Sequence, residues 1–137
     1  MIKKLFDTSR YRILLLFVFL FIRFGSSIDN GVGLTPPMGW NGWNYLQCNI
    51  NEDIVKKTAD LLVETGLAKK GYKYVNLDDC WQMSRDHATN KIIADPVRFK
   101  SGMASLGKYI HGKGLKFGLY SDSGFLTCEK RPGSYGF

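Results

Sequence analysis

The chain has 137 residues, of which 45% are hydrophobic and 23% charged, and its formal net charge is +7. This composition is ordinary for a globular protein and excludes a low-complexity chain. Residues 1–27 hold five of the 19 basic and one of the 12 acidic residues, which leaves 14 and 11 and a net charge of +3. Because the remainder has no basic cluster with interleaved aromatic residues, nucleic-acid binding is not expected.

Residues 1–27 have the pattern of a secretory signal peptide. A basic segment that includes Lys3 and Arg12 precedes ten apolar residues, 13–22, and small residues follow at 25–27. Ten apolar residues are too few for a spanning helix, which needs roughly 20, although an uncleaved anchor is the alternative. The sequence predicts cleavage, no membrane association afterwards, and a secretory destination, either extracellular, vacuolar or lysosomal.

The mature residues 28–137 predict one small domain that opens with a strand and a helix. A short strand is expected near 38–43. Apolar residues then recur at helical spacing over 52–65, with Asn49 and Glu52 as a capping box. The aromatic and β-branched residues of 72–77 predict the second strand.

The second half of the chain repeats this alternation. Residues 79–100 predict an irregular excursion, 101–111 a helix capped by Ser101, and 115–120 a third strand. Strands that alternate with helices favour parallel pairing. Either an open doubly wound sheet or the start of a (β/α)₈ barrel fits, and both place their sites at the carboxyl ends of strands. The glycine-rich nucleotide-binding motifs do not occur.

Two carboxylates close the second strand, in the segment 77–81 with the sequence Leu-Asp-Asp-Cys-Trp. Adjacent strand residues point to opposite faces, so Asp78 and Asp79 can meet one ligand only if the strand ends there and the backbone turns. The pair therefore suits gripping neighbouring hydroxyls better than acting as acid and nucleophile. In the alternative interpretation, Asp78 caps backbone amides and Asp79 is exposed.

Aromatic residues lie near the same predicted strand ends: Trp40, Trp43, Trp81 and Tyr120. An indole offers an apolar face to sugar C–H groups and an N–H donor at its rim. Carboxylates beside aromatic residues therefore indicate carbohydrate binding, and core packing is the alternative for any single tryptophan.

Three cysteines cannot all pair within one chain. If the first two strands are neighbours, Cys48 and Cys80 come close, and a bridge between them would leave Cys128 unpaired. A reactive thiol, an intermolecular bond, a missing partner and a zinc site all remain open for the odd cysteine.

Four motifs resemble those of the eukaryotic α-galactosidases of glycoside hydrolase family 27, in order and spacing, over residues 31–137. They are 36–44 (Pro-Pro-Met-Gly-Trp-Asn-Gly-Trp-Asn), 77–81, 95–99 (Asp-Pro-x-Arg-Phe) and 112–122 (Gly-Lys-Gly-Leu-Lys-Phe-Gly-Leu-Tyr-Ser-Asp). The usual Asn-Ser-Trp-Asn of the first motif reads Asn-Gly-Trp-Asn here, with Gly42 in place of serine.

The resemblance implies a (β/α)₈ barrel that removes terminal α-linked galactose with retention of configuration, without a cofactor; no metal site is expected. It implies that Asp78 and Asp79 hold galactose hydroxyls, that Trp43 packs on the sugar, and that Tyr120 lines the pocket. It further implies a Cys48–Cys80 disulfide, with Cys128 paired to a cysteine after a fourth strand.

The resemblance places the catalytic aspartates at and after a fourth strand, so no residue of this sequence is expected to be catalytic. We expect an N-terminal fragment with the first three βα units, whose open sheet edge invites aggregation and which lacks hydrolytic activity. The alternatives are a non-catalytic galactose-binding module and a structural or regulatory truncated form. The sequence predicts no particular oligomeric state.

Overall fold

The computed structural model describes residues 30–137, so the predicted signal peptide, 1–27, lies outside the described residues. The chain divides into a unit that ends at Leu34 and a unit from Thr35 to Phe137. Within the first unit, the described residues form a turn in which the Val32 N–H donates to Oδ1 of Asn30 at 3.0 Å.

The second unit alternates strands and helices. In chain order the elements are β1 (Gly39–Asn41), α1 (Trp43–Leu46), α2 (Glu52–Glu64), a 3₁₀ helix (Ala68–Lys70), β2 (Tyr74–Leu77), β3 (Gln82–Arg85), β4 (Ile92–Ala94), α3 (Gly102–Gly112) and β5 (Lys116–Leu119).

A three-stranded sheet in the order β1-β2-β5 forms the centre of this unit, and both of its pairings are parallel. Val75 in β2 lies opposite Trp40 on one side and Phe117 on the other. The predicted mixed α/β architecture with parallel strands is therefore confirmed. Because the strands run in one direction, their carboxyl ends meet at one edge of the sheet.

The core lies between the sheet and the two long helices. Fully buried Val55 and Ala59 of α2 and Leu106 and Ile110 of α3 belong to one apolar cluster with Val75 of β2. Each of the larger side chains among them, valine, leucine or isoleucine, contributes roughly 1.5–3 kcal/mol relative to exposure. This packing fixes β2 at the centre of the fold and thus fixes the position of the residues that follow it.

The predicted cap of α2 is wrong, whereas at α3 Ser101 occupies the predicted N-cap position without a capping bond from its side chain. Asn51 caps α2, since its Oδ1 accepts from the Ile54 N–H at 3.0 Å, in place of Asn49. The Ser101 side chain makes no capping bond to α3 and instead donates to Glu52. Both candidates are asparagines, so residue type alone does not separate Asn49 from Asn51. The extended backbone of Asn51 places its side chain over the first turn of α2.

The predicted irregular excursion, 79–100, contains an antiparallel hairpin of β3 and β4. Its turn is held by Asp86, whose Oδ1 accepts bonds from the Ala88 N–H and from the N–H and hydroxyl of Thr89. These strands are three and four residues long, too short for an alternating pattern to be recognised. In the part of the chain that the structure describes, no helix has the length and apolar character needed to cross a membrane.

Candidate functional site

Each strand of the parallel sheet ends in candidate site residues at the same edge. Asn41 ends β1 and is followed by Trp43, the Asp pair follows β2, and Tyr120 follows β5. A cleft at this edge is lined by Trp40, Gly42, Trp43, Gln47, Ile50, Asn76, Leu77, Asp78 and Asp79. The structure thus brings together three of the four predicted binding residues in one cleft, and Tyr120 directly follows the neighbouring strand.

The two carboxylates point toward opposite neighbours of β2. Regular strand geometry ends at Leu77, and Cys80 adopts a left-handed backbone with φ of 74°, which turns the chain away from the sheet. Asp78 reaches toward the end of β1, and Asp79 reaches toward the loop that follows β5. The backbone turn that the predicted grip requires is therefore present.

Asp78 is half-buried and is tied to the first strand. Its Oδ2 accepts a bond from Nδ2 of Asn41 at 2.7 Å, and its Oδ1 accepts from the Asp79 N–H at 2.8 Å. Oδ1 of Asn41 in turn accepts from the Trp43 N–H at 2.9 Å. One amide side chain therefore joins the carboxylate to the backbone of the tryptophan.

Asp79 is buried, with only 2% of its surface exposed, so the alternative of an exposed Asp79 is wrong. Its Oδ1 accepts from the Cys80 N–H and from the Thr127 hydroxyl, both at 2.8 Å. Its Oδ2 accepts from the Glu129 N–H at 3.0 Å. These three donors offset the cost of burying the carboxylate.

Tyr120 is held through its backbone. Its N–H donates to the Leu77 carbonyl at 2.9 Å, and its carbonyl accepts from Nε1 of Trp81 at 2.9 Å and Nε2 of Gln82 at 3.2 Å. Its hydroxyl lies 4.0 Å from the Cys128 sulfur. Burial, followed by the Cys128 thiol, raises the pKa of Tyr120 to about 12, so its phenol stays neutral and can donate a hydrogen bond.

A disulfide joins Cys48 and Cys80, with the Cα atoms 5.2 Å apart, and Cys128 has a free, exposed thiol. The bridge ties the loop after α1 to the residue that follows the Asp pair. The Glu129 carboxylate lies within 4.8 Å of both bridged sulfurs. Because these sulfurs are bonded to each other, they offer no thiolates to a zinc ion.

Sequence reasoning missed three residues that hold the Asp pair: Asn41, Thr127 and Glu129. Asn41 carries a readable signal, since a polar side chain ends a strand beside the tryptophan motif. Thr127 lies in a loop 48 residues from its partner, and Glu129 acts through its backbone N–H, which any residue type except proline could supply. Neither of these two contacts has a sequence signal.

Comparisons with known proteins agree with this geometry. Residues 35–137 match the family model described as Alpha galactosidase A (Melibiase_2). An α-galactosidase of Cyamopsis tetragonoloba is 54% identical over 110 residues, covering 79% of this chain and 26% of that protein. The crystal structure of α-galactosidase I from Mortierella vinacea superposes with a TM-score of 0.75 at 41% identity, covering 80% of this chain and 28% of that one.

A Saccharomyces cerevisiae α-galactosidase solved with raffinose superposes with a TM-score of 0.75 at 43% identity, covering 78% of this chain and 24% of that one. These matches place the fold among the glycoside hydrolases. The chain belongs to the α-galactosidase family, glycoside hydrolase family 27. It spans about a quarter of the length of the relatives that it matches.

Proposed function

We propose that this chain forms the galactose-binding part of an α-galactosidase active site, on the first three βα units of a (β/α)₈ barrel. The observation that carries the proposal is the placement of Asp78 and Asp79 at the end of β2, in one cleft with Trp43. Sites of α/β barrels lie at the carboxyl ends of their strands. The named relatives support galactose as the sugar.

The two carboxylates differ in the number of further hydrogen bonds that they can accept. A carboxylate offers about four lone-pair positions. The protein's own donors occupy two positions on Asp78 and three on Asp79. Asp78 thus has the larger remaining capacity for sugar hydroxyls, including the axial hydroxyl of galactose, while Asp79 has one position left, on Oδ2.

The aromatic residues supply the apolar half of the proposed site. Galactose presents a patch of C–H groups, which the indole of half-buried Trp43 would cover. The neutral phenol of Tyr120 adds a donor on the Asp79 side of the sugar. In this arrangement the aspartates that follow β2 bind the sugar hydroxyls. The aromatic residues that follow β1 and β5 form the sides of the site.

The reaction proposed for the whole protein is hydrolysis of terminal α-linked galactose from oligosaccharides, galactolipids or polysaccharides, with retention and without a cofactor. A retaining enzyme needs two carboxyls about 5–5.5 Å apart across the scissile bond. Asp78 and Asp79 are sequential neighbours held by protein donors, which suits binding instead. The 137-residue polypeptide is accordingly proposed to bind galactose without hydrolysing galactosides by itself.

Titration of the purified chain with galactose and glucose tests this proposal. Tryptophan fluorescence or NMR should show saturable binding of galactose, with glucose at least about tenfold weaker, since loss of one hydrogen bond to a charged group costs about 1.5–3 kcal/mol. Asp78→Asn should weaken galactose binding by a similar factor. Asp53→Asn, at an exposed aspartate in the first turn of α2, is the matched control and should bind normally.

Two outcomes would contradict the proposal: equal binding of galactose and glucose, or normal binding by the Asp78→Asn variant. Hydrolysis of an aryl α-galactoside by the chain, above the level of a mock preparation, would contradict the proposal that this chain binds galactose without hydrolysing galactosides. A chimera gives an independent measurement, in which residues of this chain replace the matching 110 of the Cyamopsis relative. It should hydrolyse the aryl galactoside, and Asp78→Asn should abolish that activity.

A secretory destination is proposed on two grounds. Residues 1–27 carry the signal-peptide pattern, and the Cys48–Cys80 disulfide is of the kind that persists in oxidising compartments. Expression with a C-terminal tag should deliver the chain to the medium or to a vacuole or lysosome. Its N-terminus should then lie near residue 28, and a chain that stays in the cytosol with residue 1 intact would contradict the proposal.

A further inference from the structure

Asn41 occupies an unusual position between two residues of the proposed site. Its Nδ2 donates to Oδ2 of Asp78 at 2.7 Å, and its Oδ1 accepts from the Trp43 N–H at 2.9 Å. It belongs to β1, whereas Asp78 follows β2, so this side chain spans the boundary between the two strands.

The orientation of the Asn41 amide is determined by its surroundings. A backbone N–H is always a donor, so the amide oxygen must face Trp43. The NH₂ group then faces Asp78, where it meets a carboxylate that can only accept while ionised. A reversed amide would set a donor against the N–H and an oxygen against the carboxylate, and both contacts would be repulsive.

We propose that Asn41 is a positioning residue that couples the Asp78 carboxylate to Trp43, so that the hydroxyl grip and the apolar wall keep a fixed separation. This inference rests on the proposed galactose site and deepens it. The short contact to an ionised acceptor is of the stronger class of hydrogen bonds. It also occupies one of the four acceptor positions of Asp78, on Oδ2, and so holds that oxygen toward β1.

An isosteric charge change tests the coupling. Asn41→Asp keeps the oxygen that accepts from the Trp43 N–H but replaces the donor to Asp78 with a second carboxylate. Like charges at this distance raise the pKa of one of the pair, so the variant regains a donor once a proton is shared at mildly acidic pH. The other titratable groups at this sheet edge are Asp79, Tyr120, which follows β5, and Glu129, whose carboxylate lies beside the Cys48–Cys80 bridge. The described cleft residues from β1, α1 and the loop after α1 carry no charge.

Galactose titrations of the full chain at pH 7 and about pH 4.5 provide the first readout. At pH 7, Asn41→Asp should bind about tenfold more weakly than the unchanged chain, and at pH 4.5 the difference should fall to about twofold. Asn41→Ala, which lacks both contacts, should be weakened at both pH values. Asn44→Asp, the same change three residues away in α1, should bind normally at both.

NMR of the ligand-free chain provides a second readout that needs no sugar. The introduced carboxylate in Asn41→Asp should titrate above the ordinary range and shift the Trp43 amide resonance, and adding Asp78→Asn should return that titration to the ordinary range. Weak binding by Asn41→Asp without recovery at pH 4.5, or unweakened binding, would overturn the coupling. If the unchanged chain binds no galactose, the proposed function fails, and the NMR titration still decides for or against the coupling.

Discussion

The hydroxyl of Thr127 donates a hydrogen bond to Oδ1 of Asp79 at 2.8 Å, although 48 residues separate them in the chain. Thr127 is 2% exposed, as is Asp79. The Thr127 oxygen also accepts from the Arg131 N–H at 3.0 Å, and this bond directs the single hydroxyl proton toward the carboxylate. The loop after β5 thus holds Asp79 in place, while Asn41 at the end of β1 holds Asp78.

Thr127→Val should destabilise the chain, because it removes the hydroxyl while keeping the shape, and leaves the buried Asp79 carboxylate and the part-buried Arg131 N–H each with one partner fewer. The expected loss is about 1–3 kcal/mol, or roughly 4–8 °C in Tm for each kcal/mol. Thr127→Ser, which keeps the hydroxyl, should retain most of the stability. Thermal unfolding followed by circular dichroism measures both, and equal Tm values for the valine variant and the unchanged chain would refute the role.

Removal of the Cys48–Cys80 bridge should also cost stability. The two cysteines are 32 residues apart, and closing a loop of this size stabilises by about 3–4 kcal/mol in the chain-entropy model. The double variant Cys48→Ala with Cys80→Ala should therefore unfold at markedly lower urea concentration than the unchanged chain. Cys128→Ala is the control, since that thiol is exposed and free, and it should unfold at the original midpoint.

The sequence predicted the parallel βαβαβ order and the strand-end location of the site because both depend on local patterns. Residues 72–77 are rich in the aromatic and β-branched residues that favour strands, and each long helix has one apolar face. What could not be predicted depends on partners distant in the chain. Glu52 matched a capping-box pattern with Asn49, yet its carboxylate accepts hydrogen bonds from Ser101, which directly precedes α3 and lies 49 residues away. No local sequence pattern predicts where the start of α3 lies in space relative to the start of α2.

Leu119 lies at the carboxyl end of β5, the strand that borders the described sheet on one side, and is 45% exposed. Its neighbours in the groove along this edge include Trp81, Ile92 and Phe99. An exposed apolar edge strand favours association between copies, and a charge on the edge opposes it. Leu119→Lys should therefore reduce aggregation in light scattering, whereas Val97→Lys, at an exposed apolar residue in a loop, should change it little. Equal aggregation of the two variants would count against β5 as the associating edge.

The free energy of unfolding should depend on pH through the Glu52 carboxylate. Its Oε2 accepts from the N–H and the hydroxyl of Ser101 at 2.9 and 2.7 Å, and its Oε1 lies 3.3 Å from Nζ of Lys56. The Ser101 N–H and hydroxyl, together with Lys56, hold the pKa of Glu52 below its ordinary value of 4.5. A carboxyl whose pKa is lowered by folding contributes stability above its unfolded pKa, and loses that contribution as the pH falls through the folded value.

Glu52→Gln should therefore be less stable than the unchanged chain at pH 7, by about 1 kcal/mol, since the amide keeps an acceptor for Ser101 but loses the charge near the α3 N-terminus. The difference should persist from pH 7 down to about pH 5, above the ordinary pKa of 4.5, and should shrink as the pH falls below that value through the lowered pKa of the folded chain. Glu64→Gln, at the exposed end of α2, controls for loss of one negative charge. Urea midpoints at constant ionic strength measure the difference, and a gap between the two chains that stays constant from pH 7 to pH 3 would show that the Glu52 charge contributes nothing.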